Sequence, residues 1–423
     1  MMQRILQSTF IKLSSIVFLG NLFSQILIFV AYALFARYFD KVEIGIYTVF
    51  ISLSILLAVP STGRYELAAM LPKKLKDSSG LLKLALGLSF LFSLVLFVLL
   101  YLIPFQSFVP RLDNISSLIL LLPLGVFFIA SFQSFIIFHN KLGNFKLNAL
   151  FKTIQAAVML IMSFVFTQYW GFTAISLVLA WVMSQAVLFV CYGSIELIKR
   201  DSHSLQELKV LGTTYKRYPT VSMLSNFVNT FSVELPNYFI PMFWGAGVQT
   251  LYAYGARVAA MPRNFIGSAI GEVFFNTSSK LAAEQPEDLL AHLKKVSRSL
   301  MTFSVVIYLL GIVTAKFLFP LVFGADYIEA VPYFQWMAAA SIFLFVQSPI
   351  SVISDVINRL DAPLVFNLFS IVLKVSALVI AGYLFDSPVH MIILYAITTA
   401  GLSLFWIIYL QHLTKKETHK AIR

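Results

Sequence analysis

Arg257, Arg263, Lys374 and Glu234 lie inside apolar runs long enough to cross a bilayer. A charge near the middle of hydrocarbon costs roughly 2.5–3.5 kcal/mol even on insertion scales, so such residues mark a path or a site for something polar. The chemistry on offer is binding. A guanidinium grips phosphate or carboxylate through two parallel hydrogen bonds, a lysine acts as a point charge, and a carboxylate takes up a proton or a cation. Lys374 stands about ten residues from either end of its run, too deep to snorkel, which calls for a cavity or a partner. Arg257 and Arg263 are six positions apart, about 600° of helical turn, so they point to different faces. We expect Arg257 to face a cavity and Arg263 to tie helices together, although either suits a phosphate. Glu234 precedes Pro236 in a run that also holds Asn226, Asn229 and Asn237. Proline frees a carbonyl and bends the helix, and membrane-embedded binding groups often sit at such breaks. Two readings of Glu234 follow: an ion pair with Arg257 or Lys374, or a site that couples a proton or an ion. Asn21 and Gln25, four apart, share a helical face suited to hydrogen-bonding a hydroxylated ligand or a neighbouring helix.

The elements that must position these side chains are membrane spans. Of 423 residues, 59% are hydrophobic and 12% charged, with mean hydropathy +0.85; too little polar surface remains to cover a soluble core. At about 20 residues per crossing, the sequence yields twelve spans near 12–36, 44–71, 81–103, 115–138, 148–167, 173–195, 219–241, 248–274, 299–320, 332–354, 364–384 and 389–411. The net charge of +12 is a topology signal. With both termini on one side, 23 of the 31 Lys and Arg residues fall in loops and tails of that side, and the positive-inside rule makes it the cytoplasm. Nucleic-acid binding is excluded on the same ground.

A single cysteine, Cys191, rules out an intrachain disulfide, and six scattered histidines offer no metal-ligand spacing. The outward connections are short, which leaves no room for a catalytic loop. Of the longer cytoplasmic links, the one near 199–217 carries Ser204 and Glu207 at capping-box spacing, with Gly212 placed to end the helix. The other, 280–298, places Leu289, Leu290, Leu293 and Val296 on one stripe and reads as a helix lying at the membrane surface. Arg64 and Glu66 end the second span near the headgroups; two positions apart on a helix, they are expected not to pair.

Shifting the chain by 205 residues lays Lys12 on Arg217, Asn21 on Asn226 and Tyr47 on Tyr252, and one inserted residue brings Glu66 onto Glu272. Both copies open with an outward span, as in proteins built from parallel halves. The expected fold is all-α and polytopic: two pseudo-symmetric six-helix bundles, residues 1–198 and 218–411, around a central cavity, with a linker at 199–217 and a tail at 412–423.

GRYELAAMLPKK at 63–74, with the ARYFDKVEIGIYTVF before it, resembles the opening segment of Wzx-type O-antigen flippases, and IGSAIGEVFFNTSSKL at 266–281 resembles a stretch of their second half. These belong to the multidrug/oligosaccharidyl-lipid/polysaccharide exporter superfamily. The resemblance implies a non-enzymatic flippase in the bacterial inner membrane, with both termini cytoplasmic. It would move an undecaprenyl-pyrophosphate-linked oligosaccharide to the outer leaflet, without a cofactor beyond a coupling H+ or Na+, beside a polysaccharide polymerase and chain-length machinery. A multidrug or cation-coupled exporter of the same architecture is the alternative, and a membrane polymerase a more distant one. Within this reading Arg257, Lys374, Arg263, Asn21, Gln25 and Asn226 are candidate substrate contacts, Glu234 the candidate coupling residue, and Arg64, Glu66 and Glu272 a candidate cytoplasmic gate. Glu272 stands where these flippases usually have Gln.

Overall fold

The computed structural model describes residues 20, 22–102, 118–198, 202–357, 359 and 361–422, leaving aside the side chains of 196–198, 268, 269, 272, 283 and 419–422. Every regular element among the described residues is helical. They are α1 (Leu22–Tyr38), α2 (Lys41–Ser61), α3 (Tyr65–Ala68), α4 (Leu75–Leu102), α5 (Leu122–Lys141), α6 (Phe145–Trp170), α7 (Ala174–Ile198) and α8 (Leu205–Thr214). There follow α9 (Met223–Trp244), α10 (Ala246–Glu284), α11 (Pro286–Phe323), α12 (Val331–Ile350), α13 (Ile353–Val356), α14 (Asp361–Leu384) and α15 (Pro388–Ile422). Nine of the described helices are long and apolar enough to cross a membrane, which makes the chain a multi-pass membrane protein. α9 and α10 fall outside that nine despite their length. Asn226, Asn229, Glu234 and Asn237 on the first, and Arg257 and Arg263 on the second, account for their polarity.

Two compact units divide the chain. One runs up to Glu234 and takes in Gly245–Gly247; the other comprises Leu235–Trp244 and everything from Val248 onward. The boundary falls within α9, with residues 202–217 on the side of the first unit. Within that unit α4 packs on α5, α5 on α7 and α6 on α7. In the second, α11 packs on α12, α12 on α15 and α14 on α15. These are the same three pairings under the internal repeat, which also carries Lys41, the first residue of α2, onto Ala246, the first of α10.

Where lipid and protein interior are both apolar, helices associate by close packing, and small residues admit it. A Cβ on Gly125 of α5 would lie 2.9 Å from Ser54 Oγ of α2 and 3.2 Å from the Trp181 ring of α7. On Gly255 of α10 it would lie 2.6 Å from the backbone N of Phe334 in α12. Aromatic side chains fill the rest: Phe132, Phe135, Phe138, Phe151 and Tyr192 form one core of the first unit, and Phe319, Phe323, Tyr254 and Tyr327 interlock in the second.

Three local expectations are corrected. The second span does not continue to residue 71: α2 stops at Ser61, and Gly63 and Arg64 take positive φ of 57° and 59°. Residues 286–298 do not form a separate surface helix; they begin α11, which runs without a break for 38 residues. At about 57 Å, α11 exceeds the roughly 30 Å hydrocarbon thickness and projects beyond it. The capping box at Ser204 and Glu207 is present, yet the helix runs on to Thr214. Gly212 serves contact instead, its carbonyl accepting from Tyr65 Oη at 2.9 Å.

Candidate functional site

The second unit gathers charge around the middle of α10. Arg263 follows Pro262 near the centre of this 39-residue helix, and the close approach of Gly255 to Phe334 fixes α10 against α12. Further along, a Cβ on Gly267 would lie 3.9 Å from Ser348 Oγ, and one on Gly271 3.7 Å from Pro349 Cα, so the two helices run side by side. Arg263 acts electrostatically on Lys374 of α14 and on Tyr308 of α11. Tyr308 is buried and donates to the Ala259 carbonyl of α10 at 3.0 Å, which holds α11 against the same turn. Arg263 and Lys374 are both half-buried. Among the described residues no carboxylate lies within salt-bridge distance of Arg263. Two cations in mutual range at low dielectric repel one another, and an anion bound between them turns that repulsion into attraction.

Arg257, also half-buried, sits a turn and a half earlier on α10. Near the start of the same helix, buried Gln249 donates from Nε2 to Asn237 Oδ1 at 2.6 Å. This link braces the turn between α9 and α10 and was not visible as a motif.

The first unit holds Glu234, at its boundary on α9. Glu234 accepts from Ser52 Oγ of α2 at 2.6 Å. Ser52 is buried and was missed by the sequence reading, because a serine within an apolar run carries no signal until its partner 182 residues away is placed beside it. Asn226 is half-buried on α9 and Gln25 exposed on α1. Asn21 lies outside the described residues, as does the side chain of Glu272.

Arg64 and Glu66 do pair, at 3.2 Å, against expectation. The i, i+2 rule presumes a continuous helix, and the left-handed turn at Gly63 and Arg64 breaks it, swinging the guanidinium back over the following carboxylate. Arg64 is the one non-glycine residue with positive φ among the described residues, a conformation that costs a residue with a Cβ about 1 kcal/mol or more. Glu66 is 3% exposed, and its Oε2 and Arg64 Nε are buried without a hydrogen-bond partner. The segment is tied down nonetheless. Lys141 at the end of α5 donates to the carbonyls of Ala69 at 2.9 Å and Pro72 at 2.5 Å and to Ser78 Oγ at 2.6 Å, using all three ammonium protons. Burial raises the Tyr65 phenol above its ordinary range, which keeps it a donor to Gly212.

The chain matches the polysaccharide biosynthesis protein family over residues 67–332, more than half its length, and it belongs to that family. It is 24% identical over 277 residues to the lipopolysaccharide biosynthesis protein WzxC of Escherichia coli (strain K12), a match covering 64% of this chain and 54% of that protein. The alignment therefore spans about half the length of this relative. Among solved structures, the lipid II flippase MurJ in its inward closed conformation superposes with a TM-score of 0.72 at 16% identity, covering 95% of this chain and 88% of that one. An outward-facing multidrug resistance MATE family transporter of the MOP superfamily gives 0.62 at 15% identity, covering 96% and 95%. At such identities the likeness is one of fold alone, an all-α fold.

Proposed function

We propose that this protein is a flippase for a polyprenyl-pyrophosphate-linked oligosaccharide, moving the sugar-bearing head from the cytoplasmic to the outer leaflet of a bacterial inner membrane. The observation that carries the proposal is the half-buried Arg263 and Lys374, in electrostatic range of one another with Tyr308 beside Arg263, in a chain that belongs to the polysaccharide biosynthesis protein family. A pyrophosphate cannot enter hydrocarbon uncompensated, and a guanidinium with an ammonium supplies both directional and point-charge compensation. Arg257 is a further candidate contact, Asn226 a candidate for sugar hydroxyls, and the Arg64–Glu66 turn a candidate gate. On this reading the protein is a transporter without catalytic chemistry, with both termini cytoplasmic, working beside a polymerase and its chain-length machinery. A cation-coupled exporter is the second reading, and the carboxylate of Glu234 against Ser52 favours it.

The experiment is transport in reconstituted vesicles carrying a lipid-linked oligosaccharide, with and without imposed proton and sodium gradients. A flippase makes the sugar accessible to an external enzyme. Absence of that signal, with organic cations exported instead, would overturn the proposal. Glu234→Gln separates the two roles of the acid. A coupling residue loses gradient dependence on that change, whereas a structural acceptor for Ser52 keeps it.

A further inference from the structure

One face of α11 carries a graded surface that the transport reading does not use. An open groove of about 810 Å³ follows this face and is bordered by Lys294, Lys295, Arg298, Ser299, Thr302 and Phe303, among others. Their spacing is that of a single helical stripe, and their order along it is cation, hydroxyl, apolar. Val306 continues the apolar end. From Lys294 to Val306 the rise is about 18 Å.

The stripe crosses the membrane boundary. Counting about 20 residues back from Phe323, where α11 ends, puts the edge of the hydrocarbon near Phe303. The three cations then stand at headgroup level, the hydroxyls at the ester level and Phe303 in the acyl region. Lys294, Lys295 and Arg298 are exposed, and among the described residues no carboxylate lies within salt-bridge distance of them. Glu287 and Asp288 lie about two turns away at the helix start. On the opposite face Leu289, Leu293 and Ser297 are buried, and Phe274 of α10 stacks on His292 with ring centroids 5.5 Å apart. This backing holds the stripe rigid and turned outward.

We propose that this groove binds an anionic phospholipid of the surrounding bilayer, its phosphate against Lys294, Lys295 and Arg298 and an acyl chain along Phe303 and Val306. The order of chemistry along the stripe is that of a phospholipid from phosphate through glycerol ester to chain. Interfacial basic clusters attract anionic lipid, each cation adding to the attraction. A soluble phosphate would find the cations but gain nothing from the apolar end.

The test uses the full-length protein in nanodiscs of equal phosphatidylglycerol and phosphatidylcholine, with the lipid retained after extraction counted by native mass spectrometry. Wild-type protein is expected to retain phosphatidylglycerol preferentially. The triple variant Lys294→Gln, Lys295→Gln, Arg298→Gln should lose that preference roughly a hundredfold. The charge-conserving triple Lys294→Arg, Lys295→Arg, Arg298→Lys should keep it. So should Lys415→Gln with Lys416→Gln, which removes exposed cations elsewhere on the same side. If the glutamine triple proves unstable, raising sodium chloride from 50 to 500 mM on the wild type should weaken the preference by screening, with the exposed Phe303→Ser weakening it separately. No preference in the wild type, an unchanged triple variant, or an equal loss on changing Lys415 and Lys416 would each overturn the proposal. None of these readouts depends on oligosaccharide transport, so failure here leaves the transport reading intact.

Discussion

The second helix of each half invites a direct comparison. α2 and α10 begin at residues related by the 205-residue offset, and each is joined by close packing to the fourth membrane helix of its own half. Their interiors differ in charge. Between Glu43 and Arg64 the first copy has no charged residue, whereas the second carries Arg257 and Arg263. The offset lays Arg257 on Ser52, whose hydroxyl serves Glu234, and Arg263 on Ala58, which is buried. The packing is therefore attainable without cations at these positions. Their presence in one half alone is what the proposed role in binding explains, and the variants below test that role against a structural one.

The largest effects should come from reversing that charge. Arg263→Glu or Lys374→Glu is expected to abolish export of lipid-linked sugar at near-normal protein abundance. The alanine variants should lose on the order of tenfold or more, the worth of a charge-assisted hydrogen bond. Surface glycan scored against membrane abundance measures this. A fall in abundance parallel to the fall in glycan would return the cations to the fold and erase the contrast between the halves.

The Arg64–Glu66 pair gives the next effect. It lies in the half without mid-span cations, and its role should show in stability. Glu66→Ala strands a guanidinium that is itself mostly buried, and about 3–5 kcal/mol is the usual consequence of breaking such a pair. Glu66→Gln retains an acceptor and should lose less. Thermal unfolding in detergent would show the order Glu66→Ala below Glu66→Gln below wild type.

Matched glycines test whether the halves pack alike. Gly255→Ala forces a Cβ to 2.6 Å from Phe334 N, and Gly125→Ala to 2.9 Å from Ser54 Oγ and 3.2 Å from the Trp181 ring. Each should destabilise by about 1–3 kcal/mol. Gly255→Ala should be the worse, since backbone yields less than a hydroxyl, and equal melting temperatures would contradict that.

The smallest effect concerns an exposed pair. Lys76 donates to Glu207 at 2.7 Å, and with the Ser204 N–H it holds the Glu207 carboxyl down at about 2 from an ordinary 4.5. A lowered pKa means that the docking of α8 which this group supports is fully present above pH 4.5. It is lost progressively as pH falls toward 2. Amide exchange of residues 202–217 should rise across that window in the wild type and be flatter in Glu207→Gln. As a surface contact, it should also weaken with salt.

What was legible in the sequence follows from local rules. Long apolar runs with a one-sided cation bias specify a multi-pass helical protein, and Ser204 with Glu207 specifies a cap because both partners sit three residues apart. The 205-residue offset was also readable, and the repeated order of helix neighbours accords with it. Faces were not readable, since lipid and protein interior reward the same apolar side chains and periodicity cannot distinguish them.

The tertiary structure alone decided the pairings. Arg263 acts electrostatically on Lys374 across 111 positions, and Ser52 bonds Glu234 across 182. Spacing rules reach only as far as one helix, and no rule of that kind joins residues on different helices. Arg64 and Glu66 show the same limit at close range. Two positions apart they should diverge, yet a left-handed turn at Gly63 and Arg64 brings them together. That turn persists because Lys141 and Gly212, distant in sequence, hold the segment around it. Sequence thus determined which residues must be explained within the membrane, and the packing of distant helices decided what each of them touches.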